Sequence, residues 1–345
     1  MRPEAALEPP RAHGGPLCRA QLREEPEDFL VEEELGFAPA GAGQHVLLKV
    51  RKRNANTQWV ARELARHGRC RSQDVGYAGL KDRRAVAVQW FSVPQSRLAL
   101  ADWRAVRGGE FEVIEAHAHS RKLPRGALAG NRFTIRARGV TVSDGPLAQR
   151  LTAIGTRGVP NYFGPQRFGR GGANLEPAAK LSTLRPPERG FMLSAARSLV
   201  FNAVLAARVA EGGWEHLETG DLAMLDGRGG HFAVESLDET LRERCARLEI
   251  HPSGPLWGRG APPSRGTVLE LEERIAARHP AACALVTDAG MEQERRSLRL
   301  AVRELSCGRE GEGQIVLRFR LTRGAYATVV LRELFEFSAY DESST

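Results

Sequence analysis

Two segments that lie far apart in the chain, NRFTIRAR at 131–138 and QIVLRFRL at 314–321, share one alternation of apolar and basic side chains. In the first, Phe133, Ile135 and Ala137 fall on one face, because successive side chains of a strand point to opposite sides. The second segment alternates in the same way. Strands that share one alternation but lie far apart in a chain indicate a sheet that is interrupted by an insertion.

The interruption is predicted near residue 156, where the texture changes to the Gly and Pro rich GVPNYFGPQRFGRGG and then to the helical LSAARSLVFNAVLAARVAEG. A chain of 345 residues has room for two domains. We therefore expect a discontinuous domain of residues 18–155 and 306–345 and an insertion of residues 156–305. Residues 1–17 are expected to form a flexible leader.

A strand-loop-strand unit is predicted around VGYAGLKDRRAVAVQWFSV, in which the polar tip KDRR separates two apolar runs. Short strands are also predicted at 28–35 and 45–50. Between them and the loop we expect a helix that starts with Thr57 as its N-cap and stops at Gly68. Loops on rigid scaffolds commonly carry function, which makes the KDRR tip the first candidate site.

Asp82 lies at this tip, between Lys81 and the pair Arg83 and Arg84. Neighbouring cations favour an ionised carboxyl group, and an anionic carboxylate acts as a nucleophile or a base, not as a proton donor. An acid among three bases in a turn is also typical of a solvated charge cluster without any chemistry. The local pattern leaves both interpretations open.

The charge balance favours a polyanionic partner. Lys and Arg total 50 against 42 for Asp and Glu, a formal net charge of +8. Such an excess suits contacts with phosphates, although a chain rich in Arg, Ala and Gly can also reflect a GC-rich genome. The five cysteines are scattered and form no C-x-x-C pair, so neither a zinc site nor a disulfide framework is predicted.

Other kinds of site are not indicated. His117 and His119 have no third candidate metal ligand nearby and are interpreted as surface side chains. The strings FGRGG and GRGG lack the Lys-Ser or Lys-Thr of a P-loop, so no nucleotide cofactor is expected. The N-terminus lacks the apolar run of a signal peptide, and no uncharged stretch has membrane length. A cytoplasmic protein without a membrane partner is predicted.

Several blocks of the sequence together resemble the TruD family of tRNA pseudouridine synthases. The loop GYAGLKDRRAV is similar to the catalytic motif of that family, and GNRF at 130–133 is similar to its Asn-x-Phe motif. The other similar blocks, in the order of the family, are PEDFLVEEELG, GVPNYFGPQRFG, LSAARSLVFN and VVLRELF. The resemblance extends from about Leu22 to Phe335, and such an ordered set is more specific than any single motif.

This resemblance implies an α+β fold, in which a pseudouridine synthase catalytic domain with a mixed, largely antiparallel sheet carries an inserted α/β TRUD domain. It implies isomerisation of uridine to pseudouridine in tRNA, at position 13 of the D arm, without a cofactor. Asp82 would be the catalytic carboxylate, Phe133 would stack on the target base, and Asn131 would help to fix the loop around Asp82. By pattern alone, Phe133 is equally a core side chain.

Basic residues are predicted to hold the RNA around this site. Arg23 stands where the family usually has Lys, and Arg84 where His is common. The residues expected to complement phosphates near the target uridine are Arg23, Lys81, Arg83 and Arg84. Those expected to follow the RNA backbone are Arg132, Arg136 and Arg138.

Two rival functions stay open. One is a non-catalytic RNA-binding or RNA-chaperone module on the same fold. The other is a nucleosidase that uses Asp82 to release free uracil. In the favoured interpretation the partner is tRNA and the protein is a monomer.

Overall fold

The computed structural model describes residues 8–95, 98–169, 174–175 and 185–337. Its α-helices are α1 (Thr57–Gly68), α2 (Leu100–Arg104), α3 (Asp144–Arg157), α4 (Pro186–Ala210), α5 (Glu239–Ala246), α6 (Gly266–Ala276), α7 (Pro280–Asp288) and α8 (Ala327–Arg332). Short 3-10 helices cover Pro26–Asp28, Ser72–Asp74 and Pro165–Phe168.

The strands of the first half are β1 (Cys18–Arg19), β2 (Gln21–Leu22), β3 (Phe29–Leu35), β4 (His45–Arg53), β5 (Gly76–Tyr77), β6 (Val86–Pro94), β7 (Phe111–His119), β8 (Leu128–Arg138) and β9 (Val159–Pro160). Those of the second half are β10 (Leu222–Leu225), β11 (His231–Ala233), β12 (Ile250–His251), β13 (Ser253–Leu256), β14 (Glu294–Ser297), β15 (Arg299–Leu300), β16 (Arg303–Arg309), β17 (Gln314–Thr322) and β18 (Phe335–Glu336).

Contacts between Cα atoms divide the chain into two compact units. The sheet unit consists of Cys18–Ser143 and Arg303–Gly324. The helical unit consists of Met1–Leu17, Asp144–Val302 and Ala325–Thr345. Asp82 and the other site residues predicted from the sequence all belong to the sheet unit.

The long sheet of the sheet unit has the strand order β16-β17-β8-β3-β6-β4-β7, with β2 paired to β8 and β5 paired to β6. Strands β3 and β6 run parallel, and the other neighbours run antiparallel. The predicted mixed, largely antiparallel sheet is therefore confirmed. Strand β17 pairs with β8 along its whole length, with Phe319 opposite Phe133. The two alternating segments of the sequence are thus adjacent strands.

Helix α1 packs on one face of this sheet. Val60 and Leu64 of the helix share a core cluster with Val50 and Phe91 of the sheet. The N-cap of the helix is Asn56, so the prediction that Thr57 caps it is wrong. Thr57 is instead the first helical residue and is buried, and its hydroxyl group donates to Gln89 Oε1 at 3.1 Å.

In the helical unit, α4 packs against α6, α7 and β13. Strand β10 pairs with β11 and β12, and β13 pairs with β14. The segment Glu188–Ala210 of α4 is long and apolar enough to cross a membrane, and 67% of its most apolar window is buried. Burial of this extent is typical of a core helix that is apolar on most sides.

Hydrogen bonds connect distant segments of the helical unit. Arg150 of α3 donates to the main-chain oxygen of Glu333, and the Glu333 carboxylate accepts from the backbone nitrogens of Ala12 and His13 at 3.1 Å. Ala12 and His13 belong to the predicted leader of residues 1–17, of which residues 1–7 lie outside the described part of the chain. The contact clustering groups α3 and residues 325–337 with the helical unit, and the predicted domain limits at 155/156 and 305/306 stay a prediction.

Candidate active site

The Asp82 carboxylate lies in the loop between β5 and β6 and accepts a hydrogen bond from Arg23, with Nη2 and Oδ2 2.7 Å apart. The Asp82 side chain is 37% exposed, whereas the Arg23 side chain is 16% exposed. The guanidinium carbon of Arg23 lies 4.1 Å from the centre of the Phe29 ring, a cation–π contact. An accessible carboxylate is thus held by a cation that is itself held by an aromatic ring.

The backbone of Arg23 contributes to this arrangement. Its φ angle of 59° is in the left-handed region, which is uncommon for a residue other than glycine. Such a conformation persists where the surroundings fix it, and it is frequent at functional sites. The structure therefore brings Arg23 to Asp82 across a separation of 59 residues, and the predicted contact of Arg23 with substrate phosphates stays a prediction.

Neutral buried side chains hold the backbone of the loop that carries Asp82. Gln89 of β6 donates from Nε2 to the Gly79 carbonyl oxygen at 2.7 Å. The Thr57 hydroxyl accepts from the Lys81 backbone nitrogen at 3.0 Å and donates to Gln89 Oε1 at 3.1 Å. Fully satisfied buried networks favour one conformation, so the loop has a rigid base.

Lys81, predicted to contact the substrate, forms an ion pair with Glu33 of β3, with Nζ and Oε1 2.5 Å apart. Burial raises the pKa of Glu33, while Lys81 and a hydrogen bond from the Trp90 backbone nitrogen oppose that rise. A buried ion pair is tolerated when hydrogen bonds of this kind satisfy it. The Lys81 side chain therefore fixes the loop, and its contact with substrate stays a prediction.

Phe133 lies in an aromatic stack on the sheet face that also carries Glu33. The centre of its ring is 5.4 Å from that of Phe319, which is nearly parallel, and 6.0 Å from that of Phe29, which meets it edge-on. Only 7% of Phe133 is exposed. Phe133 thus packs as a core side chain, the alternative that the sequence left open, and its stacking on a base stays a prediction.

Asn131 lies directly opposite Glu33 in the pairing of β8 with β3. It is 8% exposed, and its buried Oδ1 atom accepts no hydrogen bond from the described residues. A buried acceptor of this kind calls for an explanation, and a donor on a bound ligand is one. Asn131 is not one of the residues whose side chains bond Gly79 and Lys81. Its predicted role in fixing the loop stays a prediction.

Arg83 and Arg84 follow Asp82 on the exposed side of the loop. Arg84 donates from Nη2 to the main-chain oxygen of Glu24 at 3.1 Å, one residue from Arg23. Exposed guanidinium groups suit phosphate contacts, because they present several donors in a plane. Their predicted role stays a prediction.

The three arginines predicted to follow the RNA backbone lie on the other face of β8 from Phe133. Each of them forms ion pairs inside the sheet unit. The pairs are Arg132 with Glu34 and Glu304, Arg136 with Asp28 and Glu310, and Arg138 with Glu25 and Asp28. These carboxylates offset the positive charge of this face. The alternation of β8 directs its arginines away from the face that carries Glu33.

Among the described residues there is no group of three or more His, Cys, Asp or Glu side chains that could hold a metal ion. His117 is partly exposed and lies 3.0 Å from the Glu115 carboxylate. His119, in contrast, is buried and stacks on Phe37 with ring centres 5.3 Å apart. The interpretation of His119 as a surface side chain is therefore wrong, because Phe37 covers it.

Four polar side chains beneath the loop were not predicted as site residues from the sequence: Glu33, Lys52, Thr57 and Gln89. Two of them could have been found from the alternation of apolar and polar residues along their strands. Glu33 follows Val31 by two residues, and Lys52 follows Val50 by two, so each charge occupies a position at which strand alternation predicts an apolar residue.

Comparisons with known proteins add to this geometry. The family model described as tRNA pseudouridine synthase D (TruD) matches residues 12–176 and 173–334. The tRNA pseudouridine synthase D of Methylococcus capsulatus is 48% identical over 338 residues, which cover 95% of this chain and 94% of the relative. That of Nitrosococcus oceani is 47% identical over 332 residues, which cover 94% and 93%.

A crystal structure of a tRNA pseudouridine synthase D protein from Methanosarcina mazei is similar to this structure, with a TM-score of 0.70 at 20% sequence identity. The similarity covers 96% of this chain and 95% of that chain. At this level of identity, the likeness shows the fold alone. The predicted α+β fold class is thereby confirmed.

Proposed function

The chain belongs to the tRNA pseudouridine synthase D family, and from that premise we propose that it modifies uridine 13 in the D arm of tRNA with Asp82 as its catalytic carboxylate. As a member of this family it is an enzyme, and it isomerises uridine to pseudouridine in tRNA. The position in tRNA and the role of Asp82 are the parts that we add. Accessibility of the Asp82 carboxylate on a rigid loop is the observation that supports that role.

The reaction breaks the bond between ribose C1′ and uracil N1, turns the base, and joins C1′ to C5. Atoms are conserved, and neither an oxidant nor an external source of energy is consumed. A carboxylate can attack the sugar, or it can promote glycosidic cleavage and later accept the C5 proton. Both routes need an anion that is fixed in place and open to the substrate. The hydrogen bond from Arg23 fixes the Asp82 carboxylate and leaves it accessible.

The target uridine has to leave its base stack in order to reach Asp82. We propose that Phe133 then stacks on the uracil, and that the buried Oδ1 atom of Asn131 accepts a hydrogen bond from it. The cations proposed to hold the neighbouring phosphates are Arg23, Lys81, Arg83 and Arg84. More distant backbone contacts are assigned to Arg132, Arg136 and Arg138, which would exchange carboxylate partners for phosphates.

Incubation with an unmodified tRNA transcript tests the proposal. Mapping of pseudouridine by carbodiimide-dependent reverse-transcription stops should give one stop, at position 13. A stop elsewhere would overturn the position in the D arm. Bound tRNA that stays unmodified would favour the RNA-chaperone alternative, and free uracil in the supernatant would favour the nucleosidase.

Replacement of Arg23 by Ala should slow isomerisation by about ten to a hundredfold, because Asp82 loses the partner at 2.7 Å that orients it. Arg23→Lys keeps a cation, which the family usually has at this position, and should stay within about threefold of the unmodified protein. Single-turnover rates on a tRNA transcript measure both effects.

Arg71→Ala is the matched control, since it removes an exposed arginine that pairs with Asp74 in the same unit. It should leave the rate unchanged. If Arg23→Ala is no slower than this control, Arg23 does not position Asp82.

Further proposals concern the whole protein. The enzyme acts as a monomer in the cytoplasm, where tRNA is its partner, without a membrane or a nucleotide cofactor. Burial of 67% of the most apolar window of α4 supports a role for this part of the helix in the core of the protein. We also retain residues 18–155 with 306–345 as the catalytic domain and 156–305 as the insertion. Light scattering of the purified protein tests the monomer.

A further inference from the structure

Lys52 is a fully buried lysine, with 0% of its surface exposed. It lies on β4 two residues after the core residue Val50. Its ammonium group donates to the main-chain oxygen of Ala55 at 2.7 Å and to that of Asp82 at 2.9 Å. Burial of a charge is expensive unless the group is well hydrogen-bonded. A charge kept directly beneath the candidate carboxylate therefore calls for a reason.

The second hydrogen bond connects the sheet to Asp82, the residue proposed to perform the chemistry. Asp82 is otherwise held through its side chain by Arg23. Lys52 holds its backbone from the opposite side, through the carbonyl group. Contacts on both backbone and side chain restrict where the carboxylate can move. A displacement of about 1 Å at a reacting group can reduce a rate a hundredfold.

We propose that Lys52 is a positioning residue for the isomerisation, which fixes Asp82 through its main-chain carbonyl group and does so best as an ammonium ion. This inference rests on the proposed role of Asp82. Lys52 does not contact the RNA, because none of its surface is exposed. Its loss should therefore change the rate of the chemical step and leave tRNA affinity unchanged.

A dependence on pH follows from the surroundings of Lys52. Burial lowers its pKa to about 8; the negative charges of Asp82 and Glu33 oppose that fall, and the positive charge of Lys81 adds to it. Below about pH 8 the group is an ammonium ion with charge-assisted hydrogen bonds. Such bonds are roughly twice as strong as neutral ones, so loss of the proton loosens the hold on Asp82.

The test compares Lys52→Met with Lys49→Met. Lys49 lies on the same strand but on its other face, where it pairs with Glu32 and Glu115. Single-turnover rates and tRNA affinities are measured between pH 6 and pH 9.5. We expect Lys52→Met to bind tRNA within about threefold of the unmodified protein and to react about ten to a hundredfold more slowly at pH 7. Lys49→Met should react at the unmodified rate.

The shape of the pH profile separates positioning from a general structural role. The unmodified protein should lose rate severalfold above about pH 8, and Lys52→Met should lack that decline. A decline that persists in Lys52→Met belongs to another group and overturns the proposal. So does a Lys52→Met rate within twofold of normal at pH 7, or a fall in tRNA affinity as large as the fall in rate.

Lys52→Arg keeps the test decisive if the methionine variant does not fold. A guanidinium group stays protonated throughout this range, so the decline should move to higher pH in this variant. An unmodified protein without a decline near pH 8 overturns the proposal by itself. Near-normal turnover by an Asp82→Asn variant would refute the role of Asp82 instead, which distinguishes failure of the proposed function from failure of this inference.

Discussion

Asp82→Asn should bind tRNA within about threefold of the unmodified enzyme and isomerise it at least about a thousandfold more slowly. The amide keeps the size and shape of the carboxylate but carries no negative charge. It can neither attack the ribose nor accept the C5 proton, so neither of the two proposed routes is available to the variant. Pseudouridine formed under single-turnover conditions measures the rate, and filter binding measures the affinity.

Folding should hardly change in this variant. The Asp82 side chain is 37% exposed, and loss of its ion pair with Arg23 should alter the free energy of unfolding by at most about 1 kcal/mol. Asp74→Asn is the matched control, because Asp74 is an acid of the same unit that pairs with Arg71. It should react normally. An Asp82→Asn rate above about a tenth of that control would refute the catalytic assignment.

The sheet could be predicted because strand alternation is a local signal. Phe133, Ile135 and Ala137 are buried as the pattern requires, and the same pattern in β17 indicated that it belongs to the same sheet. Register and strand order are not local. The parallel pairing of β3 with β6, which brings Glu33 beneath the loop of Lys81, could not be read from either strand.

The site was predicted in part. Asp82 at a loop tip is visible in the sequence, but its partner Arg23 came from the family resemblance, since nothing local joins residues 59 apart. Thr57 was misassigned because a hydroxyl residue before a helical pattern is typical of an N-cap, and its buried partner Gln89 is 32 residues away. Tertiary hydrogen bonds outweighed the local preference.

The basic face of β8 shows that a local pattern of charge does not identify its binding partner either. Three arginines on one face of a strand indicate a site for an anion, and the pattern does not say which anion. In the structure, the anions that pair with these arginines are carboxylates of other elements, and Glu304 reaches Arg132 from 172 residues away. Net charge therefore indicated the class of partner but not the surface that binds it.

Phe133→Ala should lower the free energy of unfolding by about 3 to 5 kcal/mol, because it leaves a cavity between Phe29 and Phe319. Because only 7% of Phe133 is exposed, its replacement should cause a large loss of stability. Urea unfolding measures this loss. It also means that the alanine variant alone cannot separate packing from stacking on a base.

Phe133→Leu makes that separation, with Phe319→Leu as its matched control in the same aromatic stack. Leucine fills most of the space, so each variant should lose only roughly 1 to 2 kcal/mol of stability. A flat ring is needed to stack on an extruded uracil, and leucine has none. We therefore expect Phe133→Leu to slow isomerisation at least about tenfold and Phe319→Leu to leave it within twofold. Equal rates in the two variants would show that Phe133 acts only as part of the core.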